Sequence, residues 1–453
     1  VTRQVQRVRM PQWVDPASVF AVLSHNQPRA IWLDAGPQAT SGLSYISIPT
    51  DEILSEDVEA GDVTIFENLR AALEHDSTVD TSEVREDGFA LGWVGWLGYE
   101  LAAHTAGIPT AASTTPDAVF VYVDWALEFD HEFHTLDLIL LGTAEELASK
   151  RDELLLACDR TEHVVAQQPR LLEPTAVSWR HGPEHYKNLV SACLDAITAG
   201  DAYQLCLTNE VRVAGDFDPL EVYLRLREEN PSHHGGLLVS EDLALLSSSP
   251  EVFLRVDAQG HLTTKPIKGT RKRGANVEAD SALAAELLAS EKERAENLMI
   301  VDLMRNDVGK VAQLGTVRVD SLLEVETYEH VHQLVSTVSA ELAPGLTAVD
   351  ALEACFPAGS MTGAPKISAM TILHQLEEGP RGIYSGAFGY LGIDGAANLA
   401  MVIRSIVLTP SGASIGTGGG ITSGSDPQSE LEETWIKVSP LLRALGVSTT
   451  EYS

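Results

Sequence analysis

The sequence predicts an α+β protein built on antiparallel sheets, and three observations carry that reading. The β-rich runs come in groups between helical stretches, such as A-V-F-V-Y-V-D-W at 118–125 and L-D-L-I-L-L at 136–141. A parallel sheet would instead alternate single apolar runs with helices. The 453 residues are 44% hydrophobic, enough for a sizeable core. No exact repeat and no low-complexity segment interrupts the pattern.

In chain order, Asp15-Pro16 opens a first helix with an N-cap and a first-turn proline. Tyr99-Glu100 and His104 share one possible short helix and read as structural. The two β-rich runs above follow, then a helix of charged and Leu/Ala residues from about Glu145 to Val165. Residues 167–180 carry two prolines and no clear period, so they read as a join. The expected organisation is an N-terminal region, 1–170, and a second region, 181–453, packed together as one unit. In the second region a helix at about 184–198 ends at Gly200, and Ala202–Val213 is a strand. Ser247–Val256 and His261–Ile267 make a hairpin. Helices follow at about 278–306, 347–355 and 365–378, then a β-rich block at 384–418 and a long helix from Pro427.

The formal charge of −34 argues against nucleic acid, whose binding needs a basic face, and against an anionic membrane surface. Cys158, Cys193, Cys206 and Cys355 are far apart and form no C-x-x-C pair, which predicts a reducing compartment without disulfides or a cysteine zinc site. The first residues show no apolar signal core, and no run is long enough to span a bilayer, so the expected location is cytoplasmic.

Against that acidity, five of the nine residues from Lys265 to Arg273 are basic, in the run T-K-P-I-K-G-T-R-K-R-G. Such a run is either an exposed loop or a place that holds an anion. Pro266 and Gly269 bracket Lys268, which puts one amine at a fixed point of a strand, able to act as nucleophile or point charge. In the closing helix, Leu431, Trp435, Val438 and Leu442 form the apolar stripe. Glu430, Glu433 and Lys437 lie within roughly 60° of one another on the other side. That face is either solvated or the wall of a cavity, where two carboxylates one turn apart would suit Mg²⁺.

Further candidates lie in E-K-E-R-A-E-N-L-M-I-V-D-L-M-R-N-D at 291–307. Asp302 has Arg305 as a partner at i+3, whereas Glu296 has no such partner in the sequence. In A-M-V-I-R-S-I-V-L at 400–408, Arg404 sits on an apolar strand face by alternation and needs a carboxylate, internal or from a ligand. The turn G-T-G-G-G-I-T-S-G at 416–424 can converge backbone N–H groups on an anion. G-S-M-T-G-A-P-K at 359–366 fails the phosphate-loop pattern, because no G-K-[ST] follows. Glu251, in S-S-S-P-E-V-F-L, is either an exposed acid beside a turn or a general acid raised by burial.

These segments together resemble one family. P-I-K-G-T-R, E-N-L-M-I-V-D-L-M-R-N-D, F-P-A-G-S-M-T-G-A-P-K, G-A-F-G-Y, I-R-S, G-T-G-G-G-I and E-x-x-E-T-x-x-K are similar to the motifs of the chorismate-utilising enzymes. These include anthranilate synthase component I and aminodeoxychorismate synthase component I. The match is good over about 181–446 and loose over 1–165. The resemblance implies orthogonally packed antiparallel sheets in an α/β/β/α arrangement. It implies Mg²⁺ held by Glu296, Glu430 and Glu433. It implies chorismate carboxylates held by Arg404, Tyr384, Lys437 and the amides of Gly418, Gly419 and Gly420, with Thr270 and Thr362 nearby.

Two positions point to a branch. Isochorismate and salicylate synthases carry a lysine base where this chain has Gln204, and anthranilate synthases typically have alanine where it has Lys268. The P-I-K-G-T form is similar to the aminodeoxychorismate synthases. That branch implies Lys268 as nucleophile at C2 and Glu251 as the acid assisting loss of the C4 hydroxyl. Ammonia then completes 4-amino-4-deoxychorismate on the way to 4-aminobenzoate and folate. A neutral amine is needed, and Lys265, Arg271, Lys272 and Arg273 are expected to lower the Lys268 pKa. Gln333 stands where many relatives have histidine, with His332 one place earlier. Asn230–Leu237 lacks the aromatic residues several relatives carry. I-W-L-D-A-G at 31–36 departs from the Leu-Glu-Ser motif of tryptophan-binding relatives. No cysteine sits in a nucleophile elbow, so glutamine use is expected only with a separate glutamine amidotransferase subunit. The other readings are anthranilate synthase component I and a catalytically silent subunit that binds an aromatic acid.

Overall fold

The structure, a computed structural model, describes residues 3–58, 62–161, 176–328 and 331–448. Two antiparallel sheets organise it. The first runs in the order Gln4–Arg9, Thr135–Gly142, Trp125–Asp130, Leu43–Ser47, Arg29–Asp34, His234–Ser240, Leu243–Ser249, Ser405–Thr409, Gly412–Ile421, Gln204–Ala214 and Gly363–Ala364. Ala176–Trp179 pairs beside it on Gln204–Ala214. The second runs in the order Ile267–Lys272, Val331–Glu341, His261–Thr264, Val252–Val256, Ala397–Met401, Ala387–Gly392, Gly92–Leu97, Ala118–Val123 and Ile53–Glu56, with Arg318–Thr327 also on Val331–Glu341. Both sheets join strands from before residue 162 to strands from after 175. Arg29–Asp34 pairs with His234–Ser240, and Gly92–Leu97 pairs with Ala387–Gly392. Of the expected join at 167–180, residues 167–175 lie outside the described residues.

The first sheet buries both faces, which explains its near-continuous apolar strands. Alternate residues enter different cores. Ile31, Leu238, Leu245 and Val407 pack toward Trp93, Phe120, Phe388 and Leu399 of the second sheet. Their neighbours Trp32, Leu237, Leu246 and Ile406 pack under the helices Pro16–Leu23, Ala144–Thr161, Pro219–Glu229 and Pro427–Ala444. The second sheet is covered by other helices, among them Ile65–Asp76, Ala348–Cys355 and Glu291–Gly309. The result is helix, sheet, sheet, helix. Asp15 and Asp426 cap their helices through Ser18 and Ser429 N–H, as the sequence predicts.

Three elements differ from expectation. The helix at about 278–306 is two, Val277–Ala289 and Glu291–Gly309, because Ser290 takes an extended conformation and caps the second. Ser247–Val256 is not one strand. Leu243–Ser249 lies in the first sheet and Val252–Val256 in the second, with Pro250 at the break. The run 400–408 likewise divides between Ala397–Met401 in the second sheet and Ser405–Thr409 in the first. The crossings between the packed sheets stay buried or half-buried, as strands do, so hydropathy alone carries no sign of the break. Among the described residues no helix is long and apolar enough to cross a membrane.

Candidate active site

The two sheet-to-sheet crossings run side by side and deliver two of the candidate residues. Met401 N–H donates to the Glu251 carbonyl at 2.9 Å, and Ser248 N–H donates to the Arg404 carbonyl at 3.3 Å. Arg404 therefore does not sit on an alternating strand face. It occupies the bend with φ 51°, a left-handed conformation costly for a side chain of this size. Its Nη1 donates to Asn230 Oδ1 at 3.1 Å, burial lowers its pKa, and the charge of Glu433 and the ring of Tyr384 lie near it. Among the described residues it has no carboxylate partner within ion-pair distance.

Lys268 lies on Ile267–Lys272 at a bulge, where the pairing with Val331–Glu341 slips between Lys268 and Thr270. Gly269 makes the bulge, with φ 75°; an added Cβ would come within 2.7 Å of Leu287 and 2.9 Å of Glu293. Asn297, one residue after Glu296, braces the strand by donating to the Pro266 and Leu334 carbonyls at 3.5 and 3.4 Å. Burial pulls the Lys268 pKa down, but the carboxylates of Glu251, Glu296 and Glu433 outweigh it, and the net direction is up. The expectation that basic neighbours would lower it is corrected here. Lys265 pairs with Glu326 at 3.0 Å, Arg271 with Glu286 at 2.6 Å and Arg273 with Asp280 at 2.8 Å. Their charges are spent on partners of their own.

Glu251 is the counterpart. Burial raises its pKa, while Lys268, the Ser360 hydroxyl, the Ile267 N–H and Lys437 act against that rise. Lys268, half-buried, and Glu251, buried, are thus an acid–base pair in which desolvation penalises both charged forms.

Three carboxylates gather beside this pair. Glu296 comes from Glu291–Gly309, and Glu430 and Glu433 come from Pro427–Ala444. Gly419 keeps the backbone close: an added Cβ would stand 3.0 Å from Glu430 Oε2 and 4.0 Å from Glu433 Oε1. Ser425 donates to Glu430 at 2.6 Å, Lys437 pairs with Glu433 at 2.6 Å, and Lys437 also donates to the Gly418 carbonyl at 2.7 Å. Glu296 Oε1 is buried without a hydrogen-bond partner, and burial raises the carboxyl pKa to about 7. Lys292, which the sequence reading passed over, reaches between the carboxylates at 3.9 Å from Glu296 and 3.6 Å from Glu430. The donor set is all carboxylate with one orphaned buried oxygen, the chemistry a hard divalent cation takes, whereas among the described residues the one group with three ligand atoms within 4.8 Å of one another is His181, His185 and Glu378.

Gln204 begins the strand Gln204–Ala214 and is fully buried, yet neither atom of its amide has a partner. It leans over Gly420, where an added Cβ would lie 2.8 Å from its Nε2. The Tyr384 ring packs on Gly416, 2.0 Å from where a Cβ would be, and burial raises its hydroxyl pKa. Thr362 is buried with its hydroxyl given to the Ala358 and Gly359 carbonyls at 3.3 and 3.2 Å. Thr270 is exposed and pairs with Gln333 through the backbone. The residues missed in the sequence are Lys292, Asn297, Ser360 and Ser425. Lys292 alone left a signal, one turn before Glu296.

A cavity of about 730 Å³ lies elsewhere, lined by Leu33–Leu43, Pro231–Gly235, Tyr328, Gln333 and Phe388–Tyr390. It contains none of the candidate catalytic residues. Asp34 on its wall is already engaged by Arg227 at 2.8 Å and the Tyr223 hydroxyl at 3.0 Å.

Residues 27–443 match the profile of the chorismate binding enzymes. Over 97% of its length the chain is 41% identical to aminodeoxychorismate synthase of Streptomyces griseus, of which it spans 64%. It therefore covers just under two thirds of that relative. It is 40% identical to anthranilate synthase component 1 of Thermus thermophilus over 79% of this chain and 78% of that one. Among solved structures, anthranilate synthase component I of Streptococcus pneumoniae superposes with a TM-score of 0.72 at 28% identity, covering 96% of this chain and 99% of that one.

Proposed function

The chain belongs to the chorismate-binding enzymes, and from that premise we propose that it aminates chorismate at C4 to 4-amino-4-deoxychorismate, for 4-aminobenzoate and folate synthesis. Ammonia comes from solution or from a glutamine amidotransferase. The observation that carries this reading is the half-buried Lys268 within electrostatic reach of the buried Glu251. An amine is of no use to a simple ammonia addition at C2, whereas a C4 amination can employ it as a temporary nucleophile.

The raised Lys268 pKa means that the resting amine is protonated, so it must pass its proton on before it attacks. Glu251 is the acceptor at hand. One transfer gives a neutral amine and a carboxylic acid, both favoured by burial. The Lys268 nitrogen then bonds to C2 as the ring double bonds shift and the C4–O bond breaks, with the Glu251 proton leaving in water. Ammonia bonds to C4, the Lys268–C2 bond breaks, and the double bonds shift back. A proton from ammonium or solvent resets the pair.

Arg404, Lys437, Tyr384 and the amides of Gly418, Gly419 and Gly420 would hold the substrate carboxylates. Gln204 has no basic group to activate water, which favours amination over hydroxylation at C2. Glu296, Glu430 and Glu433 would hold Mg²⁺, which when bound offsets charge on the C1 carboxylate.

A second reading, anthranilate synthase component I, has the support of the Thermus relative; Lys268 counts against it. Product analysis separates the two. With chorismate, Mg²⁺ and an ammonium salt, the expected product becomes 4-aminobenzoate only when aminodeoxychorismate lyase is added. Anthranilate formed without lyase would overturn the proposal.

A further inference from the structure

The position of Lys292 points to a role that no part of the proposed reaction uses. Its ammonium stands 3.6 Å from Glu430 Oε1 and 3.9 Å from Glu296 Oε1. Those distances are too long for good hydrogen bonds and short enough for strong attraction. The two carboxylates come from different helices, so the lysine bridges the elements that would share a metal. Its partners are buried, with side chains 10% and 3% exposed, while the Lys292 side chain is 49% exposed. The ammonium thus enters from the lip of the site, with solvent behind it.

We propose that Lys292 is a tethered counter-cation that competes with the divalent ion for Glu296 and Glu430. The proposal rests on the reading of Glu296, Glu430 and Glu433 as the metal ligands. A lysine cannot replace the ion fully, because Glu296 Oε1 keeps no hydrogen-bond partner while Lys292 is in place. Without metal it reduces repulsion among the three carboxylates. When metal binds, two cations cannot share the same oxygens, and the flexible four-carbon stem lets the ammonium retreat into water. Metal affinity is therefore set below what the carboxylates alone would give, while the empty site is kept from collapsing or flying apart.

Lys292→Met keeps the stem and removes the charge. Lys292→Arg keeps the charge and serves as the control for packing. Manganese binding, read from the loss of the free Mn²⁺ electron paramagnetic resonance signal at low ionic strength, measures affinity without turnover. The expected result is about tenfold or more tighter binding by Lys292→Met, with Lys292→Arg near wild type. The metal-free Lys292→Met protein should also melt lower than wild type and gain more on adding Mn²⁺. Glu296→Gln should lose binding in either background. Wild-type binding with no gain in Lys292→Met overturns the counter-cation role alone. Failure of wild type and Lys292→Met alike to bind overturns the metal reading and this proposal with it.

Discussion

Two buried polar clusters lie along the strand Gln204–Ala214, and they are built on opposite terms. Around Arg381 every group is matched. Its guanidinium gives two bonds to Glu377 at 2.8 Å, one to the Met361 carbonyl at 2.6 Å and one to the Cys206 carbonyl at 2.9 Å, and it lies over the Tyr99 ring at 4.2 Å. Glu377 also accepts from Thr208 N–H at 2.9 Å. Around Gln204, at the start of the same strand, both amide atoms and Glu296 Oε1 lack partners. Unmatched buried groups are costly, and native structures keep few of them. The first cluster is finished by the chain itself and holds the fold. The second is unfinished: Glu296 bears on Lys268, and the Gln204 amide leans over Gly420.

The contrast can be broken by substitutions that separate activity from stability. The largest effect is expected from Lys268→Ala. Formation of the 4-amino product should fall by about a thousandfold or more, while the melting temperature stays near wild type. Chromatography of the product and a thermal melt check the two halves, and an undiminished rate would remove Lys268 from the chemistry. Next is Arg381→Met in the closed cluster, which strands Glu377. It should cost about 3–5 kcal/mol in denaturant unfolding. A loss below 1 kcal/mol would mean the cluster is not structural.

Gln204→Met tests the open cluster with the opposite sign. Removing a buried unpaired amide should leave stability unchanged or raise it by about 1 kcal/mol, while substrate binding, followed by calorimetry, weakens. A destabilised protein with intact binding would reverse the assignment of the two clusters. The last expected effect is a slope. Burial raises the Glu100 pKa from 4.5 to about 8, where its carboxyl accepts from Arg381 and Gly382 N–H. The folded state then holds a proton that the unfolded state has lost, so this group's contribution to stability falls as pH rises from about 4.5 to 8. Melts across that range should flatten in Glu100→Gln.

Legibility in the sequence followed the same division. The closing helix was readable because its cap, its proline and its apolar stripe are local signals. The same spacing could not tell a solvated face from a cavity wall, since that depends on Gly419 and Glu296 arriving from elsewhere. Arg404 was placed on a strand face because a crossing between packed sheets is as apolar as a strand. The Lys268 environment was misjudged for a related reason. Residues adjacent in sequence turn outward to Glu326, Glu286 and Asp280, and its true neighbours, Glu251, Cys206, Glu296 and Glu433, come from four other segments. Lys292 stands one turn before Glu296, but its reach to Glu430 is invisible from that helix, so the sequence gives it no role.

The most direct test is whether Lys268 carries the substrate. The protein would be incubated with chorismate and Mg²⁺ without ammonia, quenched and digested, and its peptides analysed by mass spectrometry. The expected result is modification of the Lys268 peptide by chorismate less one water, absent in Lys268→Ala and discharged by adding an ammonium salt. An unmodified Lys268 in an enzyme that still forms the 4-amino product would contradict the nucleophilic role.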